Sequence, residues 1–138
     1  MPAENHDNKA SAPPIVCIAD PDEALTRRIA DLLEGLGAQV RTYPSGRALL
    51  DDLAAHTLCV ISEAILPDMT GVELIAALRE RLPGTPVILL ATDGDVAAAV
   101  TAMRAGALDF IEKPHVDRLL AWRVRHLMEG DAPAAGRA

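Results

Sequence analysis

The run Leu58-Cys59-Val60-Ile61-Ser62-Glu63 is largely apolar until it ends on a single carboxylate, and Ala64-Ile65-Leu66-Pro67-Asp68-Met69-Thr70-Gly71 then breaks it into a Pro-containing loop. A short apolar run with a β-branched pair predicts a strand buried on both faces, the environment of a parallel sheet. Such a strand needs helices packed on both sides of it. The acid then stands at the carboxyl end of the strand, the edge of an open α/β sheet where strand ends and helix N-termini converge and ligands bind. Thr70 and Glu73 are spaced as a capping box, which predicts a helix from about Gly71.

The rest of the chain repeats this unit. Ile15-Val16-Cys17-Ile18-Ala19 predicts a buried strand ending on Asp20, and Leu25, Ile29, Leu32, Leu33 and Leu36 follow at helical spacing until Gly35 or Gly37 stops them. Ala38 to Tyr43 mixes polar and apolar residues, as an edge strand does. A helix is expected from Ser45 to Ala55. After the central strand and its capped helix come a buried strand over Pro86 to Ala91 and an Ala-rich helix capped by Asp93, running to Arg104 and closed by Gly106. Ala107 to Ile111 is the last strand. Lys113-Pro114 opens a final helix through Met128, with Val116, Leu119, Leu120, Val124 and Leu127 as its buried stripe. Strand and helix alternating through short loops predict an α/β domain, a doubly wound five-stranded parallel sheet of order 2-1-3-4-5 with helices on both faces. Residues 1–14, polar and aperiodic, are expected to form a disordered leader, 15–128 the domain and 129–138 a flexible tail.

Composition narrows the function. Half of the 138 residues are apolar but only 2% are aromatic, so the core must be Leu, Ile, Val and Ala. A net charge of −7 opposes sequence-independent binding to nucleic acid and points to protein partners. Cys17 and Cys59 fall inside predicted strands and are too few for a disulfide framework, so they are expected to be small core residues. No apolar run approaches the ~18 residues of a membrane span and no signal-peptide core is present, so a soluble, cytoplasmic chain is expected. His6, His56, His115 and His126 are scattered without ligand spacing, which argues against zinc and against histidine phosphotransfer. No Gly-rich phosphate loop or nucleophile elbow is present.

Three strand ends carry the chemistry. In the expected topology the first and third strands flank the point where strand order reverses, so Asp20 and Glu63 become neighbours. Two acids in a partly buried crevice need a cation, and Lys113 beyond the fifth strand supplies one.

The segments Ile18-Ala19-Asp20, Leu66-Pro67-Asp68-Met69-Thr70-Gly71-Val72-Glu73-Leu74 and Ala105-Gly106-Ala107-Leu108-Asp109-Phe110-Ile111-Glu112-Lys113-Pro114 resemble the receiver domain of two-component response regulators, a flavodoxin-like fold. The resemblance covers about Ile15 to Met128. It implies a domain that takes a phosphoryl group from a histidine kinase onto an Asp, using Mg²⁺ held by an acidic pair, with a Lys and a hydroxyl residue reading out the change. Carried over residue by residue, the phospho-acceptor position falls on Glu63, the second acid on Pro21 and the hydroxyl position on Ala91. Asp20, Lys113 and the aromatic switch position, Phe110, match.

These departures set the expectations. Replacing a carboxylate by Pro21 should weaken or abolish a Mg²⁺ site, leaving Asp20 and Glu63 as its only ligands. Asp22 either reaches in as a substitute or serves the first turn of the first helix. Thr92, one place past Ala91, should point the opposite way. Glu63 is one methylene longer than Asp, so it should pair directly with Lys113. The chain is therefore expected to be a pseudo-receiver rather than an enzyme, signalling through phosphorylation-independent contact with a sensor kinase or downstream regulator. The alternative is a phosphorylatable single-domain receiver with an unusual acceptor. A flavodoxin-like ligand-binding module would need a phosphate loop where this chain has Asp20-Pro21-Asp22. The partner surface implied is helix 4, strand 5 and helix 5 around Phe110 and Trp122, which would also serve a homodimer. An output domain, which many receivers carry, is not expected within these 138 residues.

Overall fold

A computed structural model of the chain describes residues 12–92, 96–113 and 116–130. Strand and helix alternate as β1 (Ile15–Ala19), α1 (Glu23–Gly35), β2 (Gln39–Tyr43), α2 (Gly46–Asp51), β3 (Thr57–Glu63), α3 (Gly71–Arg81), β4 (Val87–Ala91), α4 (Val96–Ala105), β5 (Asp109–Glu112) and α5 (Val116–Met128). All strand pairs are parallel, in the order β2-β1-β3-β4-β5. Strand side chains alternate between faces, so one run feeds two cores. Val16, Ile18, Cys59, Ile61, Ile88 and Leu90 pack with Leu25, Ile29 and Leu33 of α1 and Val116, Leu120 and Val124 of α5. Cys17, Ala19, Val60, Val87 and Leu89 pack with Leu49 and Leu50 of α2, Leu74, Ile75 and Leu78 of α3 and Ala102 of α4. The largest fully buried side chains are all Leu or Ile, each contributing about 1.5–3 kcal/mol over exposure.

Local signals account for most helix ends. Asp22 caps α1 and Ser45 caps α2. The capping box at Thr70 forms in both directions, Glu73 N donating to Thr70 Oγ1 at 3.1 Å and Thr70 N to Glu73 Oε1 at 2.9 Å. Of the two glycines offered as the stop of α1, Gly37 does the work: Gly35 is still helical, Leu36 is the C-cap and Gly37 takes the positive φ.

Other boundaries move. The helix expected over Ser45 to Ala55 ends at Asp51, and Tyr43 Oη donates to Asp52 Oδ2 at 2.7 Å just beyond it. Leu119 was expected in the buried stripe of α5 yet is 47% exposed, because Val116, Leu120 and Val124 fill the inward arc and Leu119 lies a hundred degrees round from Leu120. The last strand starts at Asp109 instead of Ala107, and Leu108 N bonds Val87 O at 2.7 Å ahead of it. Pro14 O, one residue ahead of β1, accepts from Gln39 N at 2.8 Å. Residues 1–11, Asp93, Pro114 and residues 131–138 lie outside the described residues.

Gly106 shows how α4 is held. Its φ is +109°, and a Cβ there would sit 1.8 Å from Arg79 Nη2, which donates to Ala105 O at 2.9 Å and so caps the end of α4 from α3. Gly106→Ala is therefore expected to cost about 1–3 kcal/mol through backbone strain, with the Arg79 cap displaced. Gly35 is helical with nothing within 4 Å of an added Cβ, so Gly35→Ala should gain about 0.4–1 kcal/mol. Urea denaturation of the two variants against the parent checks both signs.

Candidate functional site

The carboxyl edge of the sheet brings the acids together. Asp20 follows β1 and Glu63 ends β3, the two strands being direct neighbours, with Ala19 opposite Ser62. Beyond β5, Lys113 N bonds Ala91 O at 2.8 Å, continuing the ladder by one residue and aiming the lysine back across β4. Its Nζ lies 3.0 Å from Asp20 Oδ2 and pairs directly with Glu63 Oε1. The expected Glu63–Lys113 ion pair is thus present, with Asp20 as a third member.

The remaining carboxylate oxygens turn to backbone. Asp22 N donates to Asp20 Oδ1 at 2.9 Å, and Ile65 N lies 3.5 Å from Glu63 Oε2. Asp20 and Glu63 are both buried, 4% and 8% exposed, and the ammonium offsets a desolvation cost that unpaired acids could not bear. Burial by itself would depress the Lys113 pKa, but the hydrogen bonds and charges of Glu63 and Asp20 outweigh it and raise it above the ordinary 10.5.

Asp22, for which two roles were open, turns to the helix: its Oδ1 accepts from Leu25 N at 3.1 Å. Pro21 is exposed beside it. A crevice of about 630 Å³ opens over the cluster, lined also by Ile65, Ala91, Phe110 and Thr92. Thr92, one place past the end of β4, borders the same crevice as Ala91. Among the described residues, no group of three or more His, Cys, Asp or Glu side chains is arranged to hold a metal ion.

Two features of the site were not anticipated. Asp68 reaches from the β3–α3 loop to the start of α2, accepting from Gly46 N at 3.1 Å and Arg47 N at 2.9 Å, bonds that hold its carboxyl below the usual range. This ties the loop that follows Glu63 to a helix N-terminus. The second is a chain of contacts leading from Phe110. Phe110 N donates to Asp109 Oδ1 at 2.8 Å, Arg123 Nε donates to Asp109 Oδ2 at 2.9 Å, and the Arg123 guanidinium lies 5.2 Å from the Trp122 ring centroid. The His126 ring lies against Trp122 with centroids 4.3 Å apart and planes tilted by 40°, and Trp122 is 49% exposed, with Leu119 also exposed on α5. The Asp68 bonds and the Arg123–Asp109 ion pair join residues 14 or more positions apart, and only the wording of the Asp109-Phe110 segment hinted at the second of them.

With the geometry in hand, comparison places the chain. Residues 16–125 match the response regulator receiver domain family. The chain belongs to that family. It is 31% identical over 121 residues to the transcriptional regulatory protein FixJ of Bradyrhizobium diazoefficiens, covering 87% of this chain and 59% of that protein. It is 36% identical over 111 residues to FixJ of Azorhizobium caulinodans, covering 80% and 53%. The chain therefore spans somewhat over half the length of these relatives. Among solved structures, the BeF3-activated DrrB receiver domain superposes with a TM-score of 0.79 at 30% identity, covering 86% of this chain and 99% of that one. The N-terminal part of FixJ superposes at 0.72 with 31% identity, covering 88% and 98%. The chain is a receiver domain of two-component signalling with the five-stranded fold of that family. No helix among the described residues is long and apolar enough to cross a membrane.

The cluster makes a stability prediction. Lys113→Met leaves two facing acids without a cation and should cost about 2–3 kcal/mol, less than the ~3–5 of a fully buried pair because the crevice is open to water. The lysine pKa is raised on folding, so its contribution is complete below the ordinary 10.5 and fades as pH climbs through the folded value. Urea titrations of parent and variant should show a constant gap through neutral and mildly alkaline pH that closes only above that point.

Proposed function

We propose that this receiver domain is a pseudo-receiver, which signals by protein contact without taking a phosphoryl group. The observation that carries this reading is the Lys113 ammonium lying between Asp20 and Glu63, where it engages one oxygen of each acid that a receiver would present to Mg²⁺. The residues fit that ion poorly. Pro21 brings no carboxylate, one oxygen of each acid is committed to Lys113, and Asp20 Oδ1 is held by a backbone amide. A hard dication demanding near-octahedral oxygens would have to displace an ammonium fixed to the chain. Ala91 supplies no hydroxyl to grip a new phosphate. Phosphoryl transfer relies on charge neutralisation by metal and on positioned donors, and this site is short of both. Glu63 keeps a carboxylate on Lys113 at all times, a constitutive substitute for a signal that would otherwise come and go.

Chemical labelling with a small acyl-phosphate donor tests the reading. The parent and Glu63→Asp should stay unlabelled by intact mass, whereas Pro21→Asp, Ala91→Thr and Glu63→Asp together should recover far more labelling than any single change. Labelling of the parent on Glu63, or full recovery with Glu63→Asp alone, would establish instead the alternative of a phosphorylatable receiver with an unusual acceptor.

The partner, a sensor kinase or downstream regulator in the cytoplasm, is assigned to the face of α4, β5 and α5 around Phe110 and Trp122. Trp122 supports this choice: it is a large amphipathic side chain, half exposed and flanked by Arg123 and His126. A homodimer through the same face would use the same anchor. Trp122→Ala should leave the melting transition in place and weaken partner binding or self-association at least ~10-fold, a loss of about 1.4 kcal/mol or more. Unchanged affinity in a folded variant would move the interface elsewhere.

A further inference from the structure

The first turn of α2 is built against a single methionine. Gly46, the first residue of that helix, is buried, and a Cβ placed on it would lie 2.5 Å from Met69 Sδ, 2.8 Å from Cγ and 3.0 Å from Cε. Only a residue without a side chain leaves room for the thioether there. The residue before the methionine bonds the same turn: Asp68 accepts from Gly46 N at 3.1 Å and from Arg47 N at 2.9 Å, while Ser45 Oγ accepts from Ala48 N at 3.1 Å. Two of the three N–H groups that open α2 are thus held from the β3–α3 loop. The helix depends on that help. It is six residues long, well short of the ~12–15 at which a helix holds in water by itself, and its far end is tied to α3 by Arg81 Nη1 donating to Leu50 O at 2.9 Å.

Met69 is also within reach of solvent. It is partly exposed at the margin of the core that contains Leu49, Leu50 and Leu74. The other described methionines sit differently: Met103 is 42% exposed on α4, and Met128 Cε would lie 3.6 Å from a Cβ on Gly37, an ordinary contact. Among the described glycines, Gly46 alone has a thioether pressed closer than that.

We propose that Met69 is an oxidation site whose sulfoxide unlatches α2 from the loop that follows Glu63. The oxidant is a peroxide: a sulfur lone pair attacks one peroxide oxygen, the O–O bond breaks, the sulfur loses two electrons in becoming the sulfoxide, and the second oxygen leaves as water. The product is pyramidal and polar, so an apolar contact with Gly46 gives way to an oxygen that seeks a donor. The donors of this turn, Gly46 N and Arg47 N, are already committed to Asp68, whose carboxylate faces the new oxygen as a second acceptor. Competition for the donors and repulsion between acceptors both displace the side chain, and Asp68, its covalent neighbour, moves with it. A sulfoxide reductase drawing two electrons from thiols removes the oxygen as water and resets the latch. The site works whatever the state of Glu63, and it lies on neither α4 nor α5.

Graded hydrogen peroxide on the full chain, followed by peptide mass mapping and amide hydrogen exchange, tests the proposal. With Met69 oxidised, the amides of Gly46 to Asp51 should exchange at least ~10-fold faster, while those of β1 and β4 change less than ~2-fold. Methionine sulfoxide reductases should restore the slow exchange. Met69→Leu, close in volume but without sulfur, should keep the slow exchange in peroxide, although Met103 and Met128 remain open to oxidation. Met69→Gln, a polar side chain of similar length, should exchange fast with no peroxide present, and it decides the matter if Met69→Leu is itself loosened. Unchanged protection in the Met69-oxidised protein, an equal rise in Met69→Leu, or a Met69 that stays reduced until the whole chain unfolds would each overturn the assignment.

Discussion

One ammonium closes the carboxyl edge of this sheet. The ends of β1, β3 and β5 would otherwise present two buried acids to each other with nothing between them, and at that separation mutual repulsion and desolvation act in the same direction. Lys113 removes both problems because its backbone is already fixed, by the bond from its own N–H to Ala91 O. The cation is therefore part of the fold and does not depend on ion concentration. The cation of this crevice is thus supplied by the chain itself, where three strand ends meet.

The loop after Glu63 is restrained from the other side. Asp68 is bonded to the first turn of α2, the Thr70–Glu73 capping box starts α3, and Gly71 N donates to Ala64 O at 2.7 Å. Each of these bonds satisfies backbone groups that a loop or helix end leaves open. Together they fix the segment on both flanks of the turn that follows Glu63.

What was legible in the sequence follows the range of the interactions. Apolar runs, caps and the helical stripe of α1 are local patterns, and strands, helices and sheet order emerged from them. The acid cluster was legible because topology alone brings Asp20, Glu63 and Lys113 to one edge. Asp68 on Gly46 and Arg123 on Asp109 join residues far apart in the chain, and no local pattern encodes them. Leu119 was misplaced for a different reason: five apolar residues on α5 made a stripe wider than the sheet could cover, and periodicity cannot say which edge of a wide stripe is left in solvent.

The helix α4 is where these threads meet. Ala98 lines the acid crevice and Met103 lines a groove between α3 and α4 at the opposite edge, so one helix borders both. It is tied down by Ala102 and by the Arg79 cap, and it buries no large side chain of its own. An element with so few buried contacts has a small free energy of local opening, and elements of that kind are the ones that shift when a partner binds. On the reading proposed above, the signal enters as contact, and α4, apolar and with only Ala102 buried among its described residues, is an element that contact would shift at a low free-energy cost.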